Sequence, residues 1–264
     1  MGKVIGILSL KGGVGKTTSA VSLGAALASF GKKVLLVDAN FSAPNLGIHL
    51  NILNPEKTIH RVLTDEIKIE DAIHEFGGFD IIPASVYPKK SFDPLKLKDK
   101  LKKLRDKYDF IIIDSSPSLN NETLAAMVSS DELFVVSTPD FSTLTMTLKA
   151  IALAKKRGTP ISGIIINKAY GKNFELSLEN IERTSEVPVL AVVPHDVNIL
   201  KSQAHFMPST YFRPNSDASF EYKKLAACLT GEKYTPLRWR EIFHNISPKR
   251  QDINRELFYS KVFR

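Results

Sequence analysis

The residues with the most evident chemistry lie near the start of the chain, in Ser9-Leu10-Lys11-Gly12-Gly13-Val14-Gly15-Lys16-Thr17-Thr18. The apolar run Val4 to Leu8 before them reads as a buried strand, and the segment Thr18 to Phe30 after them has a helical pattern. Strand, glycine loop and helix in that order are the context of a phosphate-binding loop. Glycines let successive backbone N–H groups turn inward around an anion, and the helix aims the positive end of its dipole at the same point. Gly12, Gly13, Val14, Gly15, Lys16, Thr17 and Thr18 are therefore the expected nucleotide-binding residues. Lys16 can reach the β and γ phosphates, and the Thr17 hydroxyl is suited to Mg²⁺. Downstream, Phe110-Ile111-Ile112-Ile113 ends in Asp114. An apolar strand ending in an acid is a weak signal alone and a strong one after a phosphate loop, where Asp114 would accept from Thr17 or from a water on the metal.

The elements that must position these residues alternate between strand and helix. Val34 to Val37, ending at Asp38, reads as a second strand, followed by short helices at Thr58 to Leu63 and Ile69 to Phe76 and a strand at Phe79 to Ile82. Further strands are expected at Leu133 to Ser137, Ile161 to Ile166 and Val189 to Val193, with helices at Ser142 to Arg157 and Ser216 to Thr230. This alternation predicts an α/β fold, a mostly parallel twisted sheet with helices on both faces. Residues 1–231 are expected to form one domain and 232–264 a helical C-terminal extension.

Composition bounds the function. No apolar run approaches a membrane span and the chain enters its first strand without a signal peptide, so a cytoplasmic protein is expected. The single cysteine, Cys228, excludes a disulfide framework or a paired-cysteine metal site and reads as a buried structural thiol. The formal charge of +8 is unevenly placed. Residues 89–107 hold nine basic residues against three acids, with Leu97, Leu101, Leu104 and Tyr108 at helical spacing, so this stretch is read either as a solvated surface helix or as a surface for an anionic partner. Residues 233–264 hold eight basic residues against three acids; Trp239, Ile242, Phe243 and Ile246 fit one helix face, and Ser247-Pro248 would begin a second helix.

The loop spelling Lys-Gly-Gly-x-Gly-Lys-Thr, with Leu10 where an ordinary phosphate loop has glycine, resembles the deviant Walker A of the MinD/ParA family of P-loop ATPases. The resemblance spans roughly residues 3–230 and implies ATP/ADP and Mg²⁺ as ligands and a homodimer in the ATP-bound form. It implies that Lys11 reaches the partner's phosphates, a cation supplied in trans that acts only once the dimer closes. It places Asp38 and Asn40 in switch I, an Asp-x-Asp motif near Mg²⁺ and the attacking water, and Ser115-Ser116-Pro117-Ser118 in switch II. Asn40 replaces the usual acid; a neutral amide can hold a water but cannot take its proton, which implies slow or partner-dependent hydrolysis. Asp140 stands where relatives help hold the dimer. Asn167 with Lys168 would read the adenine edge, and Pro194, His195 and Asp196 would close over it. The stretch from Asp38 to Gly47, with Pro44-Asn45-Leu46 in it, resembles MinD-like proteins and favours a role in positioning a division site or polar structures, at or near a membrane surface, through an activating or cargo protein. A ParA-like DNA-segregating ATPase, using the basic residues 89–107 and 233–264, and an ATP-binding scaffold with little turnover are the alternatives. Without paired cysteines, an iron–sulfur carrier is disfavoured.

Overall fold

The computed structural model of the chain describes residues 1–88 and 90–234. Among the described residues, eight strands form one sheet: β1 Lys3–Leu8, β2 Val34–Ala39, β3 His74–Phe76, β4 Phe79–Ile82, β5 Phe110–Ser115, β6 Glu132–Ser137, β7 Ile161–Ala169 and β8 Val189–Pro194. Their order is β3-β4-β2-β5-β1-β6-β7-β8, and every neighbouring pair is parallel except β3 with β4. Strands such as Val34–Ala39 and Phe110–Ser115 are buried at every position, as expected of runs covered on both faces.

The helices are α1 Lys16–Ser29, α2 Leu46–His49, α3 Ile59–Leu63, α4 Leu97–Lys102, α5 Asn121–Ser129, α6 Phe141–Arg157, α7 Leu178–Ser185, α8 Val197–Ala204, α9 Ser209–Phe212 and α10 Asp217–Thr230. On one face, α1 and α10 pack with Ile5, Ile7, Leu36, Phe134 and Val136. On the other, α3 and α4 lie over Val4, Leu35, Val37, Ile111 and Ile113, while α6 and α7 cover Leu8, Leu133, Val135, Ile164 and Ile166. Helix α1 approaches the sheet so closely that a Cβ on Gly24 would lie 2.6 Å from Leu36 Cδ2. This close seat fixes the loop at the N-terminus of α1 against the strand ends. Phe134, fully buried on β6, reports on the same core. Phe134→Ala is expected to cost about 3–5 kcal/mol through lost burial and a residual cavity. A thermal melt should fall by roughly 10 °C; an unchanged midpoint would contradict this packing.

Several boundaries differ from the sequence expectation. The second short helix is a 3-10 turn at Ile69–Ala72, and His74–Phe76 instead forms the antiparallel edge strand. Gly77 and Gly78, at φ +48° and +104°, supply the tight reversal that lets β3 fold back on β4. The basic stretch is helical only at Leu97–Lys102, after a 3-10 turn at Pro94–Lys96, and Lys89 lies outside the described residues. Leu97, Leu101 and Leu104 are buried as the spacing required. Six of its eight described basic residues face acids: Lys96 and Lys100 share Asp65, Lys90 meets Glu66, Lys102 meets Asp99, Arg105 meets Asp131 and Lys107 meets Glu70. The surface there is less cationic than the sequence count. Helix α5 and the run α7 to α9 were not anticipated. Cys228 is half-buried rather than buried, and its surroundings push the thiol up to about 11.

The last described helix ends at Thr230, with Gly231 at φ +74°, and Tyr234 packs edge-on against Phe30 at 5.9 Å. The expected helices at Trp239 to Ile246 and from Ser247 lie outside the described residues. Among the described residues no helix is long and apolar enough to cross a membrane.

Candidate functional site

The carboxyl ends of β1, β2, β5, β7 and β8 open into a cleft of about 460 Å³. The loop between β1 and α1 forms its floor, with Gly13 at φ +77° and Gly15 at φ +96°; Gly15 is the N-cap of α1. Lys16 lies in the first turn and is 8 % exposed. Burial lowers its ammonium below the ordinary lysine value, and Asp114 opposes that shift. The cleft thus offers an anion a glycine cradle, a helix dipole and a desolvated cation in one place.

Behind the loop stand two acids. Asp38 and Asp114 are register partners on adjacent parallel strands, and both are fully buried. Thr17 donates its hydroxyl to Asp114 Oδ2 at 2.6 Å, while Asp114 Oδ1 is buried without a hydrogen-bond partner among the described residues. Burial raises the Asp114 carboxyl to about 6, against the pull of the Thr17 hydroxyl and Lys16. Asp38 is raised well above the carboxylate range by burial and by Asp114 beside it. The unpartnered Asp114 oxygen and the Thr17 hydroxyl, whose lone pairs stay free, are hard oxygen donors of the kind that fit Mg²⁺.

Asp38 does not line the cleft. Its oxygens accept from the amides of Asn40 at 3.1 Å, Asn45 at 3.2 Å and Leu46 at 3.1 Å, so it folds the 40–46 loop around itself. Asn40 does line the cleft, with its own amide turned to the Ala43 carbonyl. In the 115–118 segment, the Thr123 hydroxyl on α5 bonds to the carbonyls of Ser116 at 3.0 Å and Ser118 at 2.5 Å.

Asn167 and Lys168 lie inside β7, not beyond its end. Lys168 adopts φ +58°, and the pairing with β8 shifts register there. Asn167 Nδ2 donates to the Val14 carbonyl at 2.7 Å, and Lys168 Nζ donates to the Gly13 carbonyl at 2.7 Å. One N–H of the Asn167 amide is thus spent on the loop, and its Oδ1 is buried without a hydrogen-bond partner among the described residues. Pro194, His195 and Asp196 line the same wall; His195 stacks on Tyr170 with centroids 4.7 Å apart, and Asp196 caps α8.

Lys11 and Asp140 meet at the rim. Lys11 Nζ donates to Thr143 Oγ1 at 2.9 Å and Ser142 Oγ at 3.2 Å and lies 3.6 Å from Asp140 Oδ1. Asp140 caps α6 through the Thr143 amide. Sequence reading missed Gln203, which lines the cleft and donates to Thr18 Oγ1 at 2.9 Å, along with Leu200. Both lie on α8, whose signal was the Asp196-x-Asn198 cap.

A family model described as AAA domain matches residues 2–160. An uncharacterized ATP-binding protein of Methanocaldococcus jannaschii is 39% identical, covering 89% of this chain and 90% of its own. The septum site-determining protein MinD of Thermotoga maritima is 30% identical, over 88% of this chain and 89% of its own. The chain belongs to the MinD/ParA family of P-loop ATPases. The sporulation initiation inhibitor protein Soj of Bacillus subtilis is 29% identical, over 86% of this chain and 97% of its own. Among solved structures, the septum site-determining protein MinD from Pyrococcus horikoshii, complexed with Mg-ADP, aligns with a TM-score of 0.81 at 36% identity, over 86% of this chain and 95% of that one. As in a P-loop ATPase, phosphate loop, acid pair and cleft converge at the strand ends of one sheet.

Proposed function

We propose that this MinD/ParA-family ATPase is a nucleotide-dependent dimerisation switch that positions cell-division or polar structures, hydrolysing ATP to ADP and phosphate slowly until a partner stimulates it. The observation that carries the reading is the Lys16, Thr17 and Asp114 constellation beneath a glycine cradle, with Lys11 waiting at the rim outside it. Lys16 and the loop amides bind the β and γ phosphates, Thr17 and Asp114 hold Mg²⁺ with Asp38 behind them, and Asn40 orients water. Mg²⁺ supplies the charge that neutralises the phosphate oxygens. Asn167, Lys168 and the 194–196 loop bind and orient adenosine. Asn40 cannot take a proton, which supports slow intrinsic turnover.

A dimer interface at the cleft rim is supported by where the exposed apolar side chains lie. Val86, Tyr87, Leu119, Phe141, Tyr170, Phe174, Val197 and Leu200 all follow the carboxyl ends of β4, β5, β6, β7 and β8. In a parallel sheet those ends share one edge, the edge that carries Lys11. Lys11 leaves Asp140 and the α6 N-terminus to meet the partner's phosphates. Residues 1–231 form the ATPase domain and 232–264 an extension that contacts a membrane surface, DNA or a protein. The ParA-like reading is favoured only by the basic tail, because the basic residues near α4 are largely paired with acids.

Light scattering decides the switch. The wild-type mass is expected to double with Mg-ATP but not with Mg-ADP, and Lys11→Ala should stay monomeric in both. A mass that does not respond to nucleotide would overturn the dimer and leave an ATP-binding scaffold.

A further inference from the structure

Two adjacent residues in the first turn of α5 reach the two loops that frame the cleft. Thr123, fully buried, holds the 115–118 segment through the Ser116 and Ser118 carbonyls. Glu122, 7 % exposed, accepts the Ser42 hydroxyl of the 40–46 loop on Oε1, while its Oε2 is buried and unpartnered among the described residues. The Asn120 cap fixes this turn through the Thr123 amide at 3.1 Å.

The back of the 40–46 loop is seated in the same region. Phe41 is buried between His60 and Phe92, with centroids 5.8 and 5.4 Å away and both contacts edge-on. The Ser85 amide donates to His60 Nδ1 at 3.0 Å, so a neutral His60 carries its proton on Nε2, and the Phe41 backbone stands by as an acceptor. Asn40 faces the cleft while Phe41 and Ser42 face this seat, so whatever holds the latter two sets the former.

We propose that Glu122 and Thr123 are positioning residues that tie switch I to switch II through the first turn of α5, with the Ser42–Glu122 bond as the connection that sets Asn40 for hydrolysis. Neither residue touches the nucleotide; both act through the loops. A shift of one switch moves the first turn of α5 and with it the other.

The test uses Ser42→Ala, Glu122→Ala and the double variant of the full chain. Ser42 is exposed, so its replacement does not endanger folding. Removing one hydrogen bond to a charged group should lower kcat about tenfold in each single variant at saturating Mg-ATP. The double variant should be no slower than Glu122→Ala, because the two residues share one bond. KM for ATP should hold within about twofold, since ground-state binding is untouched. Glu122→Gln, which keeps the acceptor, should retain turnover. An unchanged kcat, additive losses or a loss confined to KM would overturn the proposal. It rests on the hydrolase reading above, so a second readout stands apart from turnover. Amide hydrogen exchange across residues 40–46 of the nucleotide-free protein should quicken about tenfold in Ser42→Ala and Glu122→Ala as the loop loses that bond. Unchanged exchange would sink the tie even in a chain that hydrolyses nothing, whereas faster exchange without any wild-type turnover would sink the hydrolase reading alone.

Discussion

Lys16→Ala is expected to lower ATP turnover by about three orders of magnitude, the upper range for losing one preorganised charge partner of the transition state. Lys16 is the buried ammonium of the cleft, sitting at the N-terminus of α1 beside Asp114. Its desolvation is what makes it effective, because an ammonium stripped of water interacts far more strongly with phosphate oxygens than an exposed one. The loss has a second part. Lys16 pulls the Asp114 carboxyl down. Without it Asp114 rises further above its ordinary value and becomes a poorer metal partner at neutral pH. Steady-state phosphate release with Mg-ATP, together with titration of a fluorescent ADP analogue, separates the two: turnover and affinity should both fall. A variant that kept more than about a tenth of its turnover would place the phosphates elsewhere.

Gly15→Ala is expected to destabilise the chain by about 3–5 kcal/mol, the sum of a non-glycine residue in a left-handed backbone and a broken buried hydrogen bond. Gly15 sits at φ +96°, and an added Cβ would lie 2.2 Å from Asn167 Nδ2. That nitrogen cannot retreat without leaving the Val14 carbonyl, which it reaches at 2.7 Å in a buried setting. The substitution therefore disturbs the loop and the cleft wall at Asn167 together. A melting midpoint lower by roughly 10 °C and loss of ADP binding are expected. Adding Asn167→Ala should recover part of the stability by removing the clash. If Gly15→Ala melted like the wild type, the Asn167 contact would not exist as described.

Much of this protein was legible in one dimension because its signals are local. The order of strand, glycine loop and helix around Lys16, and the apolar run ending in Asp114, were read correctly because a phosphate loop needs a fixed local backbone and a buried parallel strand needs an unbroken apolar run. The Leu97, Leu101 and Leu104 face was equally plain, since helical periodicity is a property of neighbours in sequence. What the chain alone could not decide were distances between strands. Only the register of β2 against β5 places Asp38 beside Asp114, and only the folded 40–46 loop turns Asp38 away from the cleft onto three amides. The pairing of the basic stretch with Asp65, Glu66, Glu70 and Asp131 joins residues more than twenty positions apart, so a charge count overstated that surface. Glu122 carried no local signal, because its partner Ser42 lies 80 residues away. The residue types and spacing of the phosphate loop determined what the site could bind. The sheet topology, which brings the ends of distant strands to one edge, decided which other residues meet there.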